Sequence, residues 1–320
     1  MSKVLITGAC GYLGANLSYN LSKNGFSITA FDSVDPRQHE KWSSQMEEII
    51  VGDIRDEKTI SNLVEREFDT VIHLISLDHK KSENLPNIVS SINVMPTWNL
   101  LDKFTKNGLN KFIYLSTVQV YGDVPPKKID ESFSPAPNNI YGLTHYLSEK
   151  ICNYYNRTTE TSCINVRLSN SYGCPAFTEN NCWWLVINDL CKSAIENEEI
   201  KLLSDGSPQK DFIHSCDIYQ VVEKLILSKL KDNIYHIASG ETLTIFELAT
   251  IINKVFTNKY NKDLPIILPS KIDLNNEGNQ ASLKRYNFDI SRIKALGYNQ
   301  EISLEIGIDK MFDYLELINS

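Results

Sequence analysis

Three features are scarce or missing in this sequence, and each absence narrows what the chain can be. No apolar run is long enough to cross a bilayer, and no basic region precedes an apolar one at the N-terminus. The seven cysteines include no Cys-x-x-Cys pair and no histidine at zinc-ligand spacing, so we expect reduced thiols and no metal site. The net charge of −8 disfavours binding to a nucleic-acid backbone. We therefore expect a cytoplasmic protein that contacts neither nucleic acid nor membrane.

The first half of the 320 residues alternates short apolar strands with helical segments. Strands are predicted at Val4–Ile6, Ser27–Phe31, Ile49–Val51, Thr70–Leu74, Lys111–Leu115 and Ser162–Val166, and helices at Leu13–Lys23, Ile60–Glu67, Ile88–Lys106 and Tyr141–Arg157. Strands that alternate with helices give an α/β fold with a doubly wound parallel sheet. After Tyr172 the pattern becomes irregular, which predicts one domain over residues 1–172 and a smaller mixed lobe over 173–320, interleaved with the last sheet strands.

A glycine-rich turn follows the first predicted strand. Residues 4–14 read V-L-I-T-G-A-C-G-Y-L-G, which places Gly8, Gly11 and Gly14 between a strand and an amphipathic helix. Glycine lets backbone N–H groups approach a pyrophosphate, whose charge the helix N-terminus also favours. Asp32 ends the second strand, where an acidic side chain can bind both adenosine ribose hydroxyls. These features predict a Rossmann-type site for NAD, with Arg37 leaving a smaller NADP alternative.

The glycine spacing T-G-x-x-G-x-x-G resembles that of extended short-chain dehydrogenases, the NAD-dependent epimerase/dehydratase family that modifies nucleotide sugars. Gly52-Asp53-Ile54 resembles the family's adenine-contacting segment, His73-Leu74-Ile75-Ser76 its H-L-A-A segment, and residues 93–101 its N-V-x-G-T-x-N-L-L segment. The resemblance implies an NAD-binding first domain, a nucleotide-sugar-binding second lobe, and a homodimer paired through Ile88–Lys106 and Tyr141–Arg157. The implied cofactor contacts are Gly8, Gly11, Tyr12, Leu13, Gly14, Asp32, Asp53, Ile54, Leu74, Ile75, Ser76, Asn93, Tyr141 and His145.

Two further segments resemble the family's catalytic motifs. L-S-T-V-Q-V-Y-G over residues 115–122 implies that Thr117 hydrogen-bonds the reacting sugar oxygen, and I-Y-G-L-T over residues 140–144 implies that Tyr141 is the catalytic tyrosine. A tyrosine can take a hydroxyl proton while hydride leaves the same carbon, provided that its pKa of about 10 is lowered. These residues therefore predict oxidoreduction at a sugar carbon.

The chain departs from the family one helical turn after Tyr141, where His145 replaces the usual lysine. Pairing Tyr146 with Lys150 would restore the spacing, but Gly142 follows Tyr141 as in the family motif. Because histidine is only partly cationic near neutral pH, it should lower the tyrosine pKa less than lysine does. Two interpretations follow: His145 is a working substitute, or the protein is an NAD-binding homologue with little or no turnover.

Substrate contacts are also implied by resemblance. N-V-R-L-S-N-S-Y-G-C-P over residues 165–175, D-G-S-P-Q-K-D-F-I-H over 205–214 and K-R-Y-N-F-D over 284–289 match family segments near the sugar phosphates. The implied contacts are Ser82, Thr117, Asn170, Lys210 and Arg285, where Lys210 replaces an arginine and loses its two-pronged geometry. A steroid or flavonoid reductase of the same superfamily would not need Lys210 or Arg285.

The two residues after Thr117 help to distinguish between the possible reactions. Nucleotide-sugar 4,6-dehydratases carry acidic residues there, whereas this chain has Val118 and Gln119. Without that acid and base, elimination is disfavoured and redox at carbon 4 is preferred. A 4-epimerase, a 4-keto-sugar reductase and a 4-dehydrogenase remain open, and by family analogy we expect a reductase or epimerase of surface-polysaccharide synthesis.

Overall fold

The first-half segments form the central sheet of the molecule. We describe residues 1–83, 85–229, 232–269 and 284–319 of a computed structural model. Its strands are β1 Lys3–Thr7, β2 Ser27–Asp32, β3 Glu48–Val51, β4 Thr70–His73, β5 Lys111–Thr117, β6 Lys128–Ile129, β7 Ser162–Leu168, β8 Asn170–Tyr172, β9 Ile200–Lys201, β10 Gln209–His214, β11 Ile234–Ile237, β12 Thr242–Thr244, β13 Ile266–Ile267 and β14 Asn287–Phe288.

Helices cover both faces of this sheet and build the second lobe. They are α1 Tyr12–Lys23, α2 Glu40–Ser43, α3 Glu57–Val64, α4 Pro86–Asn93, α5 Met95–Lys106, α6 Ile140–Thr158, α7 Val186–Asn197, α8 Ser215–Leu227, α9 Ile245–Tyr260, α10 Ser291–Ala295 and α11 Leu304–Asn319. Single 3-10 turns lie at Lys81–Glu83 and Val118–Tyr121. Among the described residues, no helix is both long and apolar enough to cross a membrane.

Seven parallel strands make up the main sheet, in the order β11-β7-β5-β4-β1-β2-β3. The direction of strand order reverses between β1 and β4, and in such sheets ligands bind beyond the carboxyl ends of the strands at this point. The predicted doubly wound parallel α/β fold is therefore confirmed, with β11 contributed from beyond residue 172.

The single helix predicted over Ile88–Lys106 is wrong, because the structure has two helices there. Val94 lies between α4 and α5 with φ −116° and ψ −54°. Pro96 explains the break, since its nitrogen carries no hydrogen and its ring clashes with a carbonyl of the preceding turn. The apolar periodicity continues across the break, so it did not predict that the helix would be interrupted.

The first turn of α6 lies against the turn that follows β5. Asn139 caps the helix, and its side-chain oxygen accepts a hydrogen bond of 2.8 Å from the Gly142 N–H. A Cβ at Gly142 would lie 2.5 Å from the Gln119 carbonyl oxygen, so only glycine fits there. This close approach brings Tyr141, at the start of α6, to the end of the strand that carries Thr117.

The second lobe has its own apolar core and a small three-stranded sheet. Buried side chains of α7, α9 and α11 form one cluster, which includes Leu190, Ile252 and Phe312. Strand β10 pairs parallel with β8 and antiparallel with β12. This sheet follows β7 directly in the chain, so it stands beside the carboxyl ends of the main strands.

Candidate active site

A cleft of about 610 Å³ lies at the point where the strand order reverses. Its lining includes nine of the cofactor residues inferred from the sequence, namely Gly8, Gly11, Tyr12, Asp32, Asp53, Ile54, Leu74, Ile75 and Ser76. Leu13 and Gly14 belong to the first turn of α1, next to this lining. The volume falls in the range of small-molecule and cofactor sites.

The glycine loop has the close backbone packing that a pyrophosphate site needs. Gly8 has a φ of +79°, and a Cβ at Gly14 would lie 1.9 Å from the Gly8 carbonyl oxygen. The start of α1 is thereby held directly against the loop, with backbone N–H groups at the helix N-terminus.

The carboxylate of Asp32 lines this cleft at the carboxyl end of β2. It accepts hydrogen bonds of 2.8 Å from the Cys10 N–H and 2.7 Å from the Ser33 N–H, and retains lone pairs for ribose hydroxyls. Arg37 is bound to Asp35 at 2.7 Å and to the Ile49 carbonyl at 3.0 Å. Because these contacts occupy the guanidinium, the site fits NAD better than NADP.

Asp53, the second acidic residue among the inferred cofactor contacts, is ion-paired with Arg55. The guanidinium hydrogen-bonds the carboxylate through Nε and Nη2 and lowers the pKa of Asp53. The backbone of Asp53 and the buried Ile54 still line the cleft. A contact to adenine from this segment would therefore come through its backbone or through Ile54.

A segment of the second lobe covers the part of the cleft beside Cys10 and His39, and the sequence reasoning missed it. Phe177, Glu179, Asn180 and Asn181 belong to the lining. Asn180 donates a hydrogen bond of 2.8 Å to the Cys10 carbonyl, and the Phe177 ring stacks on His39 with centroids 3.9 Å apart. This stretch is irregular and far from the glycine turn in sequence, so no pattern pointed to it.

Two residues inferred to contact ligands are completely buried instead. Asn93 accepts a hydrogen bond of 2.8 Å from the Leu77 N–H and donates one of 3.0 Å to Thr144. Ser82 donates to the Leu77 carbonyl at 3.3 Å. Both therefore anchor the loop after β4 to α6, and neither has a surface that a ligand could touch in this structure.

Tyr141 forms a hydrogen bond with the cleft-lining Ser76, and Thr117 ends the strand whose following turn packs against the first turn of α6. The Thr117 hydroxyl oxygen accepts a hydrogen bond of 3.2 Å from the Gln119 N–H, which leaves its own hydrogen free to donate. Burial raises the pKa of Tyr141 to about 12, and nearby Asp78 adds to the rise, whereas a hydrogen bond from Ser76 opposes it. At neutral pH Tyr141 is thus a phenol that can hold and donate a proton.

His145 lies one turn further along α6, buried against the Tyr141 ring. The two ring centroids are 4.4 Å apart, and Nδ1 of His145 lies 2.8 Å from the Tyr114 hydroxyl. Nε2 has no hydrogen-bond partner in the described part of the chain. Burial lowers the pKa of His145 to about 3, so the side chain is neutral rather than partly cationic.

The alternative register, Tyr146 with Lys150, lies on another side of α6. Tyr146 packs on a cluster that contains Val120, Tyr121 and Phe288, and the Lys150 ammonium stands 4.6 Å from the Tyr146 ring centroid. Tyr141 instead forms a hydrogen bond with the cleft-lining Ser76, although none of Tyr141, His145, Tyr146 and Lys150 belongs to the lining itself. The structure thus gives this pair no position beside the cofactor site.

The three candidate phosphate contacts gather around the small sheet of the second lobe. Asn170 is on β8, Lys210 is on β10, and Arg285 donates a hydrogen bond of 2.9 Å to the Thr242 carbonyl of β12. The Asn170 amide donates to the Asp211 carbonyl at 2.8 Å, and Arg285 is ion-paired with Glu247. A diphosphate would have to displace these protein partners.

Strand β5 carries two buried polar side chains that the sequence reasoning did not single out. Tyr114 contacts His145, and Ser116 donates a hydrogen bond of 2.7 Å to Glu149. Alternate residues of a strand share a face, so polar residues at positions 114 and 116 of an apolar strand would have been the signal.

Comparisons with known proteins agree with this geometry. The family model described as "NAD dependent epimerase/dehydratase family" matches residues 4–238. The chain is 24% identical, over 98% of both chains, to a putative UDP-glucose 4-epimerase of Methanocaldococcus jannaschii. It is also 24% identical, over 97% of both chains, to the low-salt glycan biosynthesis protein Agl12 of Haloferax volcanii.

Solved structures share the fold along nearly the whole chain. A UDP-glucose 4-epimerase of Thermotoga maritima, solved with UDP-glucose, superposes with a TM-score of 0.83 at 22% identity, over 99% of this chain and 100% of that one. A UDP-glucuronic acid 4-epimerase of Bacillus cereus, solved with UDP-glucuronic acid and NAD, gives 0.80 at 23% identity over 99% of both chains. The match of the family model over most of the chain, on a fold with this dinucleotide cleft, shows that the protein is an enzyme of the NAD-dependent epimerase/dehydratase family, with NAD as its cofactor.

Proposed function

We propose that this enzyme catalyses oxidation and reduction at carbon 4 of a nucleotide-diphosphate sugar, with 4-epimerisation as the overall reaction. The observation that carries the proposal is the hydrogen bond between Tyr141 and the cleft-lining Ser76, at the place where the turn after Thr117 packs against the start of α6. The curated relatives named above support the choice, because one is called a putative UDP-glucose 4-epimerase.

Tyr141 moves the proton in this proposal. NAD, when bound, supplies the hydride acceptor and donor. Before oxidation the Tyr141 phenol must release its own proton to solvent; the resulting phenolate then takes the proton of the sugar hydroxyl and returns it during reduction, while the Thr117 hydroxyl donates to the same sugar oxygen and orients it. Val118 and Gln119 offer no carboxylate to this position, which argues against a 4,6-dehydratase.

The second lobe holds the nucleotide diphosphate in this proposal, with residues 1–172 as the NAD-binding domain and 173–320 as the substrate lobe. Arg285 is the main anchor, since a diphosphate can replace Glu247 as its ion-pair partner. Lys210 and Asn170 stand on neighbouring strands and add a charge and an amide. Mutating Arg285 should therefore weaken nucleotide-sugar binding more than NAD binding.

The test is an epimerisation assay. The purified enzyme is incubated with NAD and, in turn, UDP-glucose, UDP-galactose and UDP-N-acetylglucosamine, and the products are separated by chromatography. Tyr141→Phe should lower the rate about 100- to 10,000-fold. Tyr146→Phe is the matched control, because it removes a phenol oxygen from the same helix outside the cleft, and its rate should be unchanged.

Release of the cofactor distinguishes a 4-epimerase from a 4-dehydrogenase or a 4-keto-sugar reductase. An epimerase returns the hydride to the same sugar, whereas a 4-dehydrogenase or a 4-keto-sugar reductase must exchange its cofactor in every cycle. Free NADH that accumulates with a keto sugar would replace the epimerase proposal by a dehydrogenase. The absence of hydride transfer with the whole sugar panel would contradict the proposed function.

We also propose a homodimer, formed through the outward faces of α5 and α6. Exposed apolar side chains collect there: Met95, Trp98, Leu143, Leu147 and Tyr154. A patch of this kind favours association with a similar surface. Sedimentation should give twice the mass of the 36.4 kDa chain, and Trp98→Glu with Leu147→Glu should give the monomer. A monomeric native enzyme would contradict this arrangement.

A further inference from the structure

A stretch of the second lobe, residues 177–184, is anchored to the first domain on one side of the dinucleotide cleft. The Asn180 amide donates a hydrogen bond of 2.8 Å to the carbonyl of Cys10, in the loop after β1. The Phe177 ring stacks on the ring of His39, in the segment after β2, with centroids 3.9 Å apart. Phe177 is also buried in the apolar cluster that contains side chains of β1 and β2. The segments after two neighbouring strands thus hold this stretch.

Hydrogen bonds within the stretch fix the direction of the Asn180 amide. Its side-chain oxygen accepts a bond of 3.2 Å from the Phe177 N–H, and its backbone N–H donates one of 3.0 Å to the Phe177 carbonyl. The NH2 group is therefore the half of the amide that faces Cys10. Although Phe177 and Asn180 line the cleft, both halves of the Asn180 amide are bonded to protein.

The same stretch reaches the opposite side of the cleft through Trp184. Its ring contacts the ring of His79, in the loop after β4, with centroids 5.4 Å apart. The indole N–H donates a hydrogen bond of 2.9 Å to the Asn181 carbonyl. Asn181 belongs to the lining of the cleft, whereas Trp184 and His79 do not. The contact between the two rings therefore joins protein to protein at a place outside the cleft surface.

The order of the strands shows that these contacts lie on both sides of the cleft. Cys10 follows β1, and β1 lies between β2, which leads to His39, and β4, which leads to His79. The stretch thus crosses the carboxyl ends of three adjacent strands, at the point where such sheets bind their ligands. A segment that covers a ligand in this way has to move before the ligand can exchange.

We propose that residues 177–184 form a strap across the dinucleotide, and that this strap has to lift from the first domain before the cofactor can enter or leave. The contacts that hold the strap join protein to protein, so their strength is the same with and without the cofactor. Weakening them should therefore speed both entry and release, and should change the affinity little. The inference does not depend on the reaction at carbon 4, although a retained cofactor suits an enzyme that returns its hydride to the same sugar.

Stopped-flow fluorescence of NADH measures both rates on the full enzyme without any nucleotide sugar. Entry is followed after mixing with NADH, and release is followed after displacing bound NADH with excess NAD. Trp184→Ala should speed both rates about three- to tenfold, because it removes the ring contact with His79 from a side chain that is 40% exposed. Asn180→Ala should speed both rates about tenfold, since it frees the strap from Cys10. The dissociation constant of either variant should stay within about threefold of wild type.

Asn253→Ala is the matched control, because it makes the same change inside the second lobe. The Asn253 amide donates hydrogen bonds of 2.8 Å to the Asp263 carboxylate and 3.1 Å to the Leu264 carbonyl, and both partners belong to the second lobe. Entry and release of NADH in this variant should equal those of wild type.

Faster release with unchanged entry would overturn the inference, because these residues would then be ordinary cofactor contacts. Unchanged rates in either strap variant would overturn it as well. An equal acceleration in Asn253→Ala would also overturn it, since the effect would then come from a loosened second lobe. If both rates rise as expected but no nucleotide sugar reacts, the proposed function fails and the strap stands.

Discussion

Two neighbouring turns of α6 each bury polar side chains, one as a charged pair and the other as a neutral pair. Glu149 and Arg167 are both buried and charged, and the carboxylate also accepts from Ser116 at 2.7 Å. One turn earlier, Tyr114 and His145 are buried and neutral, and one nitrogen lacks a partner. The completed pair holds strands and helix together, whereas the incomplete pair stands next to Tyr141. Full hydrogen bonding thus accompanies the pair that links strands and helix, and an unpaired nitrogen accompanies the turn that carries Tyr141, the proposed acid and base.

Breaking the charged pair should have the largest effect. Glu149→Ala leaves the Arg167 guanidinium buried without its counter-ion, so the free energy of unfolding should fall by about 3–5 kcal/mol. Urea denaturation measures the change. Glu149→Met with Arg167→Met is the control, because it removes both charges and should recover most of the loss. A single variant as stable as wild type would mean that this pair does not hold the fold.

Replacing the neutral His145 by a cationic residue should change the rate of hydride transfer. In His145→Lys, an ammonium near the Tyr141 phenol should lower the raised pKa of Tyr141, so that more phenolate is present at any pH below about 12. The rate at which bound NADH forms from a nucleotide sugar should rise about tenfold at neutral pH, with the alkaline rise beginning about one pH unit lower. Stopped-flow absorbance measures this rate. An unchanged pH profile would contradict the claim that the missing charge limits Tyr141.

The sequence predicted the backbone elements of this site better than the protonation states of its side chains. The glycine turn, Asp32 and the ends of the parallel strands followed from local patterns, because a βαβ unit places them by its own geometry. The neutrality of His145 did not follow, since it comes from burial, and His145 is buried only when β5, with Tyr114 31 residues away in sequence, packs on α6.

The other two differences have one local and one long-range cause. The break at Val94 comes from Pro96, a local cause that the apolar periodicity concealed. The cover formed by Phe177 and Asn180 depends on how the second lobe returns to the glycine loop, and a single sequence contains no signal for that contact.

Acid should destabilise the folded protein through its buried neutral histidines. Burial lowers the pKa of His73 and His145 to about 3 and that of His214 and His236 to about 4. Each folded value lies below the unfolded value of about 6.5, so unfolding takes up protons in between, and stability is complete above about pH 6.5 and lost as the pH falls toward about 4.

The variant His145→Gln removes the proton uptake of one of these four histidines. Between about pH 6 and about pH 4.5, its free energy of unfolding should fall less steeply than that of wild type, by up to about 1.4 kcal/mol per pH unit. Urea titrations at a series of pH values compare the two slopes. Identical slopes would show that His145 is not held neutral in the folded enzyme.

The smallest expected effect compares the two polar side chains of β5. Ser116→Ala removes one hydrogen bond to Glu149, which still accepts from the Arg167 guanidinium at 2.7 and 3.0 Å, so stability should fall by only about 1–2 kcal/mol. NADH affinity should not change, because Ser116 contacts the structural pair and not His145. Tyr114→Phe, two residues away on the same face of the strand, should instead weaken NADH binding, because it removes the hydrogen bond that holds His145, a cofactor contact implied by the family resemblance. If Ser116→Ala weakened NADH binding as much as Tyr114→Phe does, the two turns of α6 would not be separable, and the division between a structural and a functional pair would fail.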